Sequence, residues 1–322
     1  MLEKFVEEYQ KVPLNEYANK VYDDGCLLTV RVTTYNHGSF IAACLDSILA
    51  QRTNFKYQIL IMEDDSGDHT RDICKEYADR FPEKIRLILN SRENNIQING
   101  KPTGLFNSVY SYLIINTPYI AIIEGDDLWT DPENLQKKVD VLEKNKELSF
   151  CFSDGVKFSE SSEITEAKLM LGLGESRTMG KSQAISIAIP TASLVFRNIV
   201  EDKVHEETFQ IFHADLLLRS KLLHYGQGYF LSNVKPIGRR IHEGGSFSSL
   251  RQDEKLDGMI QTRKKILEYF DRKGWESDFV FDDLCRVLKK KIRWQITNLK
   301  PSIGSIIEYF RLSLNIHPKF RK

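Results

Sequence analysis

The sequence predicts an α/β fold with a mostly parallel central sheet, and three observations carry this prediction. Short apolar runs alternate with amphipathic stretches from Leu27 to about Ser153, as happens when strands and helices take turns along a parallel sheet. The runs are rich in Val, Ile, Leu and aromatic residues, which favour strands. A length of 322 residues suits one sizeable domain with additions or two small domains.

Five apolar runs are predicted to form the strands. They are short, as strands buried on both faces of a parallel sheet are. In chain order they are Leu27 to Thr33, Tyr57 to Met62, Lys84 to Leu89, Tyr119 to Ile123 and Ser149 to Phe152.

Four amphipathic stretches between the strands are predicted to be helices. The first begins near Ser39, a suitable N-cap residue, and carries apolar residues at helical spacing. The others run from about His69 to Arg80, from Leu105 to Ile115 and from Pro132 to Lys144. Proline suits the first turn of a helix, which supports the last of these starts.

The regular alternation weakens after Ser153. The polar, glycine-containing stretch from Ser159 to Lys181 predicts a long surface loop of the kind that shapes binding sites. Apolar pattern returns at Ile185 to Phe196, and Phe212 to His224 is predicted to be a leucine-rich helix.

Charge and cysteine content narrow the classes of protein. The formal net charge is zero, which gives no reason to expect a nucleic-acid partner. Five cysteines occur without C-x-x-C spacing, so the sequence indicates neither a zinc site nor a disulfide framework and suits a reducing cytoplasm. No apolar run approaches the length of about 18 residues that spans a membrane, and the charged N-terminus is unlike a signal peptide.

Polar residues follow three of the predicted strands, and ligands of such sheets bind beyond the carboxyl ends of the strands. All three groups are expected to meet at one edge of the sheet. They are Thr33-Thr34-Tyr35-Asn36, Glu63-Asp64-Asp65-Ser66-Gly67-Asp68 and Glu124-Gly125-Asp126-Asp127.

Adjacent acids repel each other unless a cation or a hydrogen-bond donor neutralises them. Mg²⁺ and Mn²⁺ prefer carboxylate oxygens and leave positions open for diphosphate, so Asp126 and Asp127 indicate a metal-diphosphate ligand. Gly125 is expected to let the main chain approach that ligand closely. The alternatives stay open: Asp126 and Asp127 suit a turn and a helix cap, and Asp64 and Asp65 suit a turn.

Two other phosphate-binding classes are disfavoured. The sequence has no G-x-x-x-x-G-K-[ST] loop, and no G-x-G-x-x-G follows the first strand, as P-loop and dinucleotide-binding folds require.

The chain resembles the family 2 glycosyltransferases of bacteria from about Leu27 to Ser248. The stronger motifs are Val30 to Asn36, Leu45 to Gln51, Glu63 to Thr70 and Tyr119 to Pro132; the weaker ones are Pro190 to Arg197, His213 to Leu216 and Arg239 to Ser246. The resemblance implies the GT-A fold, inversion at the transferred sugar carbon, and a nucleotide-diphosphate sugar as donor, foremost a UDP-sugar. It further implies Mn²⁺ or Mg²⁺ as cofactor and a glycan or lipid-linked acceptor.

The resemblance, together with the composition of the two ends, predicts the following organisation of the chain. Residues 1–26 are an N-terminal arm and residues 27–250 the GT-A catalytic domain. Within it, residues 27–155 bind the nucleotide sugar and residues 156–250 form the acceptor half. Residues 251–322 are a helical, basic C-terminal extension.

The resemblance assigns roles to individual residues. Thr33 and Tyr35 line the nucleotide pocket, with the tyrosine ring against the base, and Asp64 accepts a hydrogen bond from the base or ribose. Asp126 lies on the ribose and metal side, and Asp127 most directly holds the metal. The last two assignments are His242, which reaches back to the metal or diphosphate, and Asp215, the catalytic base.

The assignment of Asp215 as the catalytic base also has a mechanistic reason. Inversion requires a carboxylate on the face opposite the leaving diphosphate to take the proton of the acceptor hydroxyl. Its alternative is a helix cap or a first-turn acid worth about 1 kcal/mol.

The sequence departs from the family pattern at two places. Glu63 precedes the Asp64-Asp65 pair where relatives have a hydrophobic residue, which blurs which acid faces the base. The usual glycine-rich continuation is missing after Ser91, so Arg92 and Lys101 are interpreted as solvated cations.

From Leu284 the chain is basic, with interleaved apolar residues. This pattern suits either a helix on an anionic membrane surface or one that packs on its own protein. The leading hypothesis is a cytoplasmic, peripheral enzyme of surface polysaccharide synthesis. The rivals are a nucleotidyltransferase acting on a sugar phosphate, which releases pyrophosphate, and a non-catalytic subunit that binds nucleotide sugar.

Overall fold

The computed structural model describes residues 1–17, 20, 25–98, 100–159, 169–199, 206–211, 213–242, 251–298, 304 and 307. It divides into two compact units. The first contains residues 1–179, 188–205 and 225–242, and the second contains residues 180–187, 206–224 and 243–322. Both draw on separated stretches of chain, whereas the sequence-based domain limits are continuous; those limits stay a prediction.

The first unit is built on a mixed α/β arrangement. Its helices are α1 (Leu2–Tyr9), α2 (Ile41–Leu49), α3 (Thr70–Arg80), α4 (Leu105–Ile114) and α5 (Asn134–Lys144). Its strands are β1 (Asn15–Tyr17), β2 (Cys26–Thr34), β3 (Lys56–Glu63), β4 (Ile85–Leu89), β5 (Gln97–Ile98), β6 (Lys101–Pro102), β7 (Tyr119–Glu124), β8 (Leu148–Phe152), β9 (Gly155–Phe158), β10 (Arg177–Met179), β11 (Val195–Arg197), β12 (Gln227–Phe230) and β13 (Ile237–Arg240).

A nine-stranded sheet has the order β1-β4-β3-β2-β7-β11-β8-β12-β10. Strands β4, β3, β2 and β7 are parallel neighbours, β8 and β12 are a parallel pair, and β1, β11 and β10 pair with their neighbours in antiparallel fashion. The predicted mostly parallel sheet is therefore confirmed, and the five predicted strands are β2, β3, β4, β7 and β8.

Helices cover both faces of the parallel strands, so these strands are apolar along most of their length. In β3 every residue from Tyr57 to Glu63 is buried. On α2 the buried residues Ile41, Cys44, Leu45 and Ile48 recur at the helical period. Burying a side chain of this size stabilises the fold by about 2 kcal/mol.

Two predicted helix starts are wrong by one or two residues. Helix α2 begins at Ile41 with Phe40 at its N-cap, because the carbonyl of His37 accepts both the Phe40 and Ile41 amides. Helix α5 begins at Asn134, after Asp131 accepts the Glu133 amide through its side chain. Local hydrogen bonds outside the helix set both starts.

The second unit is helical, with α6 (Lys181–Ser186), α7 (Ala214–Tyr225, of which Tyr225 belongs to the first unit), α8 (Gln252–Lys273) and α9 (Asp278–Thr297). Leu256 and Ile260 of α8 pack with Leu284, Val287 and Leu288 of α9. A buried ion pair also joins the two helices, since Arg263 Nε donates to Asp283 Oδ2 over 2.6 Å. The first part of the basic stretch therefore packs on its own protein.

In the described parts of the chain, no helix combines the length and the apolar character needed to cross a bilayer. All five cysteines are free thiols. The predicted loop from Ser159 to Lys181 contains β10 and the start of α6, and its residues 160–168 lie outside the described residues.

Candidate active site

Parallel register brings the three polar strand ends together. Thr33 at the end of β2 pairs with Met62 of β3 on one side and with Glu124 of β7 on the other. The loops after β2, β3 and β7 therefore leave the same edge of the sheet, as predicted.

Reciprocal hydrogen bonds join the first two of these loops. The Asn36 amide donates to Ser66 Oγ, and the Gly67 amide donates to Asn36 Oδ1, each over 2.9 Å. Asn36 and Asp65 have φ values of 53° and 60°, a conformation that asparagine and aspartate tolerate better than most residues. The Ser66-Gly67 turn thus positions the end of β2 as well as its own strand.

Glu63, which made the sequence-based assignment ambiguous, is fully buried at the end of β3. Its Oε1 accepts the Ser66 amide over 2.8 Å, and its Oε2 accepts Arg71 Nε over 2.5 Å. Arg71 also reaches Asp65, with 3.3 Å between Nη2 and Oδ1. Glu63 is therefore a structural acid, held by its own turn and by helix α3.

The carboxylate of Asp64 is almost fully buried and accepts four hydrogen bonds. Asn107 and Asn90 donate to Oδ1 over 2.7 and 3.1 Å, and Arg92 and Asn95 donate to Oδ2 over 2.9 and 3.2 Å. Burial raises the pKa of Asp64, and the Arg92 guanidinium acts in the opposite direction. Four donors hold this side chain in one orientation.

Arg92 is not the solvated cation expected from the sequence. Besides its ion pair with Asp64, its guanidinium lies 3.9 Å from the ring centroid of Tyr35. Tyr35 itself is exposed. Arg92 thus links the aromatic ring and the acid that were assigned to the nucleotide base. The Lys101 side chain lies outside the described residues.

Asp126 and His242 are in direct contact, although 116 positions separate them in the chain. His242 Nε2 lies 3.0 Å from Asp126 Oδ2, and both side chains remain partly exposed. The His37 ring meets the His242 ring edge to face, with centroids 5.9 Å apart. Burial lowers the pKa of His37, while Asp126 opposes that shift, so this imidazole is neutral near pH 7 and available as a ligand.

Asp127 lies deeper than Asp126. Its Oδ1 accepts the Arg240 amide over 3.0 Å. Burial raises the pKa of Asp127 well above its usual value, and Glu124 and Asp126 add to the increase. An acid in this position is costly to ionise without a nearby cation.

Arg240 supports the same loop from strand β13. Its Nε donates to the Asp126 carbonyl over 3.2 Å, and its guanidinium lies between the rings of Phe40 and Phe158 at 4.6 and 4.5 Å. The main chains of β13 and the β7 loop are also joined, because the Leu128 and Gly238 amides each donate to the other residue's carbonyl. The C-terminal motif is thereby fixed against the acids of β7.

Gly125 is required for a reason other than the predicted one. A Cβ at this position would lie 2.6 Å from Thr34 Oγ1 and 2.9 Å from Ile41 Cδ1. The space beside Gly125 is therefore filled by the protein's own side chains, and glycine lets β7 and β2 approach each other.

Two overlapping groups of side chains could hold a divalent metal. One consists of Glu124, Asp126 and Asp127, and the other of His37, Asp126 and His242; in each group the ligand atoms lie within 4.8 Å of one another. Carboxylate and imidazole are both ligands of divalent ions. The donor chemistry of this edge therefore fits a metal bound to a diphosphate.

Asp215 lies in the second unit, as the second residue of helix α7. Burial lowers the pKa of His213, and the Asp215 carboxylate partly opposes this shift. Burial also lowers the pKa of Arg219 and of Arg263, and the same carboxylate opposes both shifts. Asp215 therefore lies in a cationic neighbourhood.

The sequence analysis assigned no role in the site to four residues that the structure places there. Three lie beside the acids that follow β7: His37, Glu124 and Arg240. The fourth, Arg92, lies beside Asp64. His37 follows Tyr35-Asn36 directly, and Arg240 lies two residues before His242, so both had a signal in their position beside assigned residues. The remainder of the Arg239 to Ser246 motif, residues 243–246, lies outside the described residues.

The fold and this site define the class of the protein: it has the GT-A fold of nucleotide-sugar transferases. The family described as Glycosyl transferase family 2 matches residues 29–203. This is more than half of the chain, so the chain belongs to that family.

Relatives and solved structures agree with this assignment. An uncharacterized protein of Mycobacterium tuberculosis H37Rv is 39% identical over 134 residues, which are 39% of this chain and 36% of that protein. This alignment therefore spans only about a third of the relative's length.

Two crystallised proteins resemble the chain in fold. S. aureus TarS 1-349 in complex with UDP-GlcNAc matches with a TM-score of 0.62 and 15% identity, covering 88% of this chain and 81% of that one. The mannosyltransferase PcManGT from Pyrobaculum calidifontis, in complex with GDP-Man and Mn²⁺, matches with a TM-score of 0.51 and 13% identity, covering 99% and 88%. At these identities the likeness concerns the fold alone.

Proposed function

We propose that this chain is an inverting, divalent-metal-dependent glycosyltransferase. It transfers a sugar from a nucleotide-diphosphate sugar, foremost a UDP-sugar, to a hydroxyl group of a glycan or lipid-linked acceptor in surface polysaccharide synthesis. It works in the cytoplasm, with peripheral contact to the membrane through its basic C-terminal segment. The observation that carries the proposal is the single sheet edge shared by Asp64, with Tyr35 and Arg92 beside it, and by the acid-histidine group around Asp126.

The two sides of this edge suit the two ends of a nucleotide diphosphate. Tyr35 offers a ring for stacking on the base, and Thr33 is assigned to the same nucleotide pocket. Asp64 is assigned to the base or ribose, where an N–H or hydroxyl group would take the place of one of its four present donors. At the other end of this edge, Asp126 is assigned to the ribose and the metal. A divalent cation bound there stabilises the charge of the departing diphosphate.

Asp126 and His242 are the most accessible ligands for that cation. Asp127 contributes from behind them, because its Oδ1 already accepts the Arg240 amide and Oδ2 is the oxygen left for the ion. This gives Asp126 a more direct part in metal binding than the sequence motif alone assigned to it.

Asp215 is proposed as the base. Its ionised carboxylate takes the proton of the attacking hydroxyl, which makes the oxygen a stronger nucleophile as the bond to diphosphate breaks. Holding the acceptor opposite the leaving group produces inversion in one displacement.

The test is a panel of nucleotide sugars with Mn²⁺ or Mg²⁺, measured by heat of binding and by release of nucleoside diphosphate with octyl glycosides as acceptors. We expect at least one donor to bind only with metal and to yield nucleoside diphosphate. Release of pyrophosphate from a nucleoside triphosphate and a sugar phosphate would instead identify a nucleotidyltransferase. Binding without any turnover would identify a non-catalytic subunit.

The base has a separate test. Asp215→Asn should keep donor affinity within about twofold and lower turnover by roughly 10³-fold, in the range of general base catalysis. Asp282→Asn, at an exposed aspartate of α9, is the matched control and should be unaffected. Full turnover in Asp215→Asn would remove Asp215 from the mechanism.

A further inference from the structure

The two histidines beside Asp126 form a group with the geometry of a metal site. One ligand atom from each of His37, Asp126 and His242 lies within 4.8 Å of the other two, and the contact between Asp126 and His242 is 3.0 Å. Atoms bound to one ion at bond lengths near 2.1 Å are about 3 to 4 Å apart. Small side-chain rotations therefore bring all three onto a single ion.

The orientation of His37 is set by a second residue. Thr34 Oγ1 lies 3.3 Å from His37 Nδ1, which leaves Nε2 as the ring nitrogen for an ion. A hydrogen bond to the remote nitrogen is the usual way in which proteins orient a ligating histidine. Thr34 keeps its position because residue 125 is glycine, since any Cβ there would collide with Oγ1 at 2.6 Å.

The all-oxygen group is less open to an ion. Asp127 is 5% exposed and its Oδ1 accepts the Arg240 amide, whereas His37, Asp126 and His242 all remain partly exposed. The partly exposed group also leaves room for diphosphate oxygens on its solvent side. Asp126 belongs to both groups, so the two groups differ in whether imidazole nitrogens or further carboxylate oxygens complete the set of ligands.

We propose that His37 is a third protein ligand of the metal, completing a two-histidine, one-carboxylate set with Asp126 and His242. The inference rests on the proposed function, because it concerns the cation that accompanies the donor diphosphate. Mg²⁺ strongly prefers oxygen ligands, while imidazole suits transition ions. The site therefore selects Mn²⁺ or Co²⁺ over Mg²⁺.

The first measurement is pulsed electron paramagnetic resonance of Mn²⁺ bound to the full chain, alone and with UDP. Two directly bound imidazole nitrogens are expected from their ¹⁴N couplings. Titration followed by the signal of free Mn²⁺ should give an affinity at least tenfold above that for Mg²⁺, measured by competition. Fewer than two bound imidazoles in the unaltered protein would overturn the inference without any variant.

Variants supply the second measurement. His37→Ala and the polar His37→Gln should each lower Mn²⁺ affinity by about tenfold or more, remove one ¹⁴N coupling and leave Mg²⁺ affinity within about twofold. His69→Ala, at an exposed histidine of the neighbouring loop, is the control and should change none of these. Unchanged Mn²⁺ affinity and couplings in folded His37 variants would contradict the proposal.

The outcome is separable from that of the proposed function. Donor turnover together with a single bound imidazole leaves the glycosyltransferase proposal intact and removes His37 from the metal site. Two bound imidazoles in a protein that processes no nucleotide sugar support His37 as a ligand and count against the transferase mechanism.

Discussion

The loop after β3 and the loop after β7 each bury an aspartate at the same sheet edge, but they treat its charge differently. Asp64 accepts four side-chain hydrogen bonds, one of them from an arginine. Asp127 accepts one main-chain amide and lies beside Glu124 and Asp126, which raise its pKa further than burial does alone. The protein itself satisfies the acid of the first loop, whereas the acid of the second loop is stabilised by adding a cation.

The largest expected effect comes from removing the acid that meets the metal. Asp126→Ala should abolish the metal dependence of donor binding and lower turnover by roughly 10³-fold, the scale of losing a charge that stabilises the transition state. Calorimetry with UDP and Mn²⁺, together with rates of nucleoside diphosphate release, measures both. The control is Asp72→Ala, at an exposed aspartate of α3; if Asp126→Ala behaves like it, the β7 loop is not a cation site.

The next largest effect should be on the free energy of unfolding, when the aspartate of the loop after β3 is replaced. Asp64→Asn places an amide NH₂ against donors that now meet a carboxylate oxygen, and it removes the ion pair with Arg92. We expect the free energy of unfolding to fall by about 2 kcal/mol, measured by urea denaturation without metal. An unchanged stability would mean that the four hydrogen bonds around Asp64 do not stabilise the fold.

Replacing aspartate by asparagine in the loop after β7 should raise the free energy of unfolding rather than lower it. Asp127→Asn keeps an oxygen for the Arg240 amide and removes a buried charge next to two acids. Because burial and the two acids disfavour the charge that is removed, the metal-free variant should gain about 1 kcal/mol or more, while losing activity. Loss of stability in this variant would show that the two loops do not differ as described.

The gain in Asp127→Asn should depend on pH. A carboxyl group whose pKa is raised in the folded state costs stability as the pH rises from its ordinary value of 3.8 through the folded value, because the folded protein binds more protons in that window. Thermal denaturation should therefore show a larger difference between the variant and the unaltered protein at pH 7 than at pH 5. Bound Mn²⁺ should cancel the difference.

Much of the fold could be predicted from the sequence because its signals are local. The apolar run at Tyr57 to Met62 differs from β3 by one residue at each end, and the run at Tyr119 to Ile123 differs from β7 by one residue at its C-terminal end. Convergence of their polar ends followed from parallel pairing alone. The starts of α2 and α5 were less predictable, because the carbonyl of His37 and the side chain of Asp131 compete for the first amides.

By itself the sequence determined the α/β class, the sheet edge and the acids that follow each strand, since the hydrophobic period and the residues at the end of each strand are properties of neighbouring residues. The tertiary structure decided which acid is neutralised and by what. Arg92 reaches Asp64 from a different loop, and His37 and His242 meet beside Asp126 from distant parts of the chain. Electrostatic environment depends on distance in space, and no spacing along the sequence encodes it.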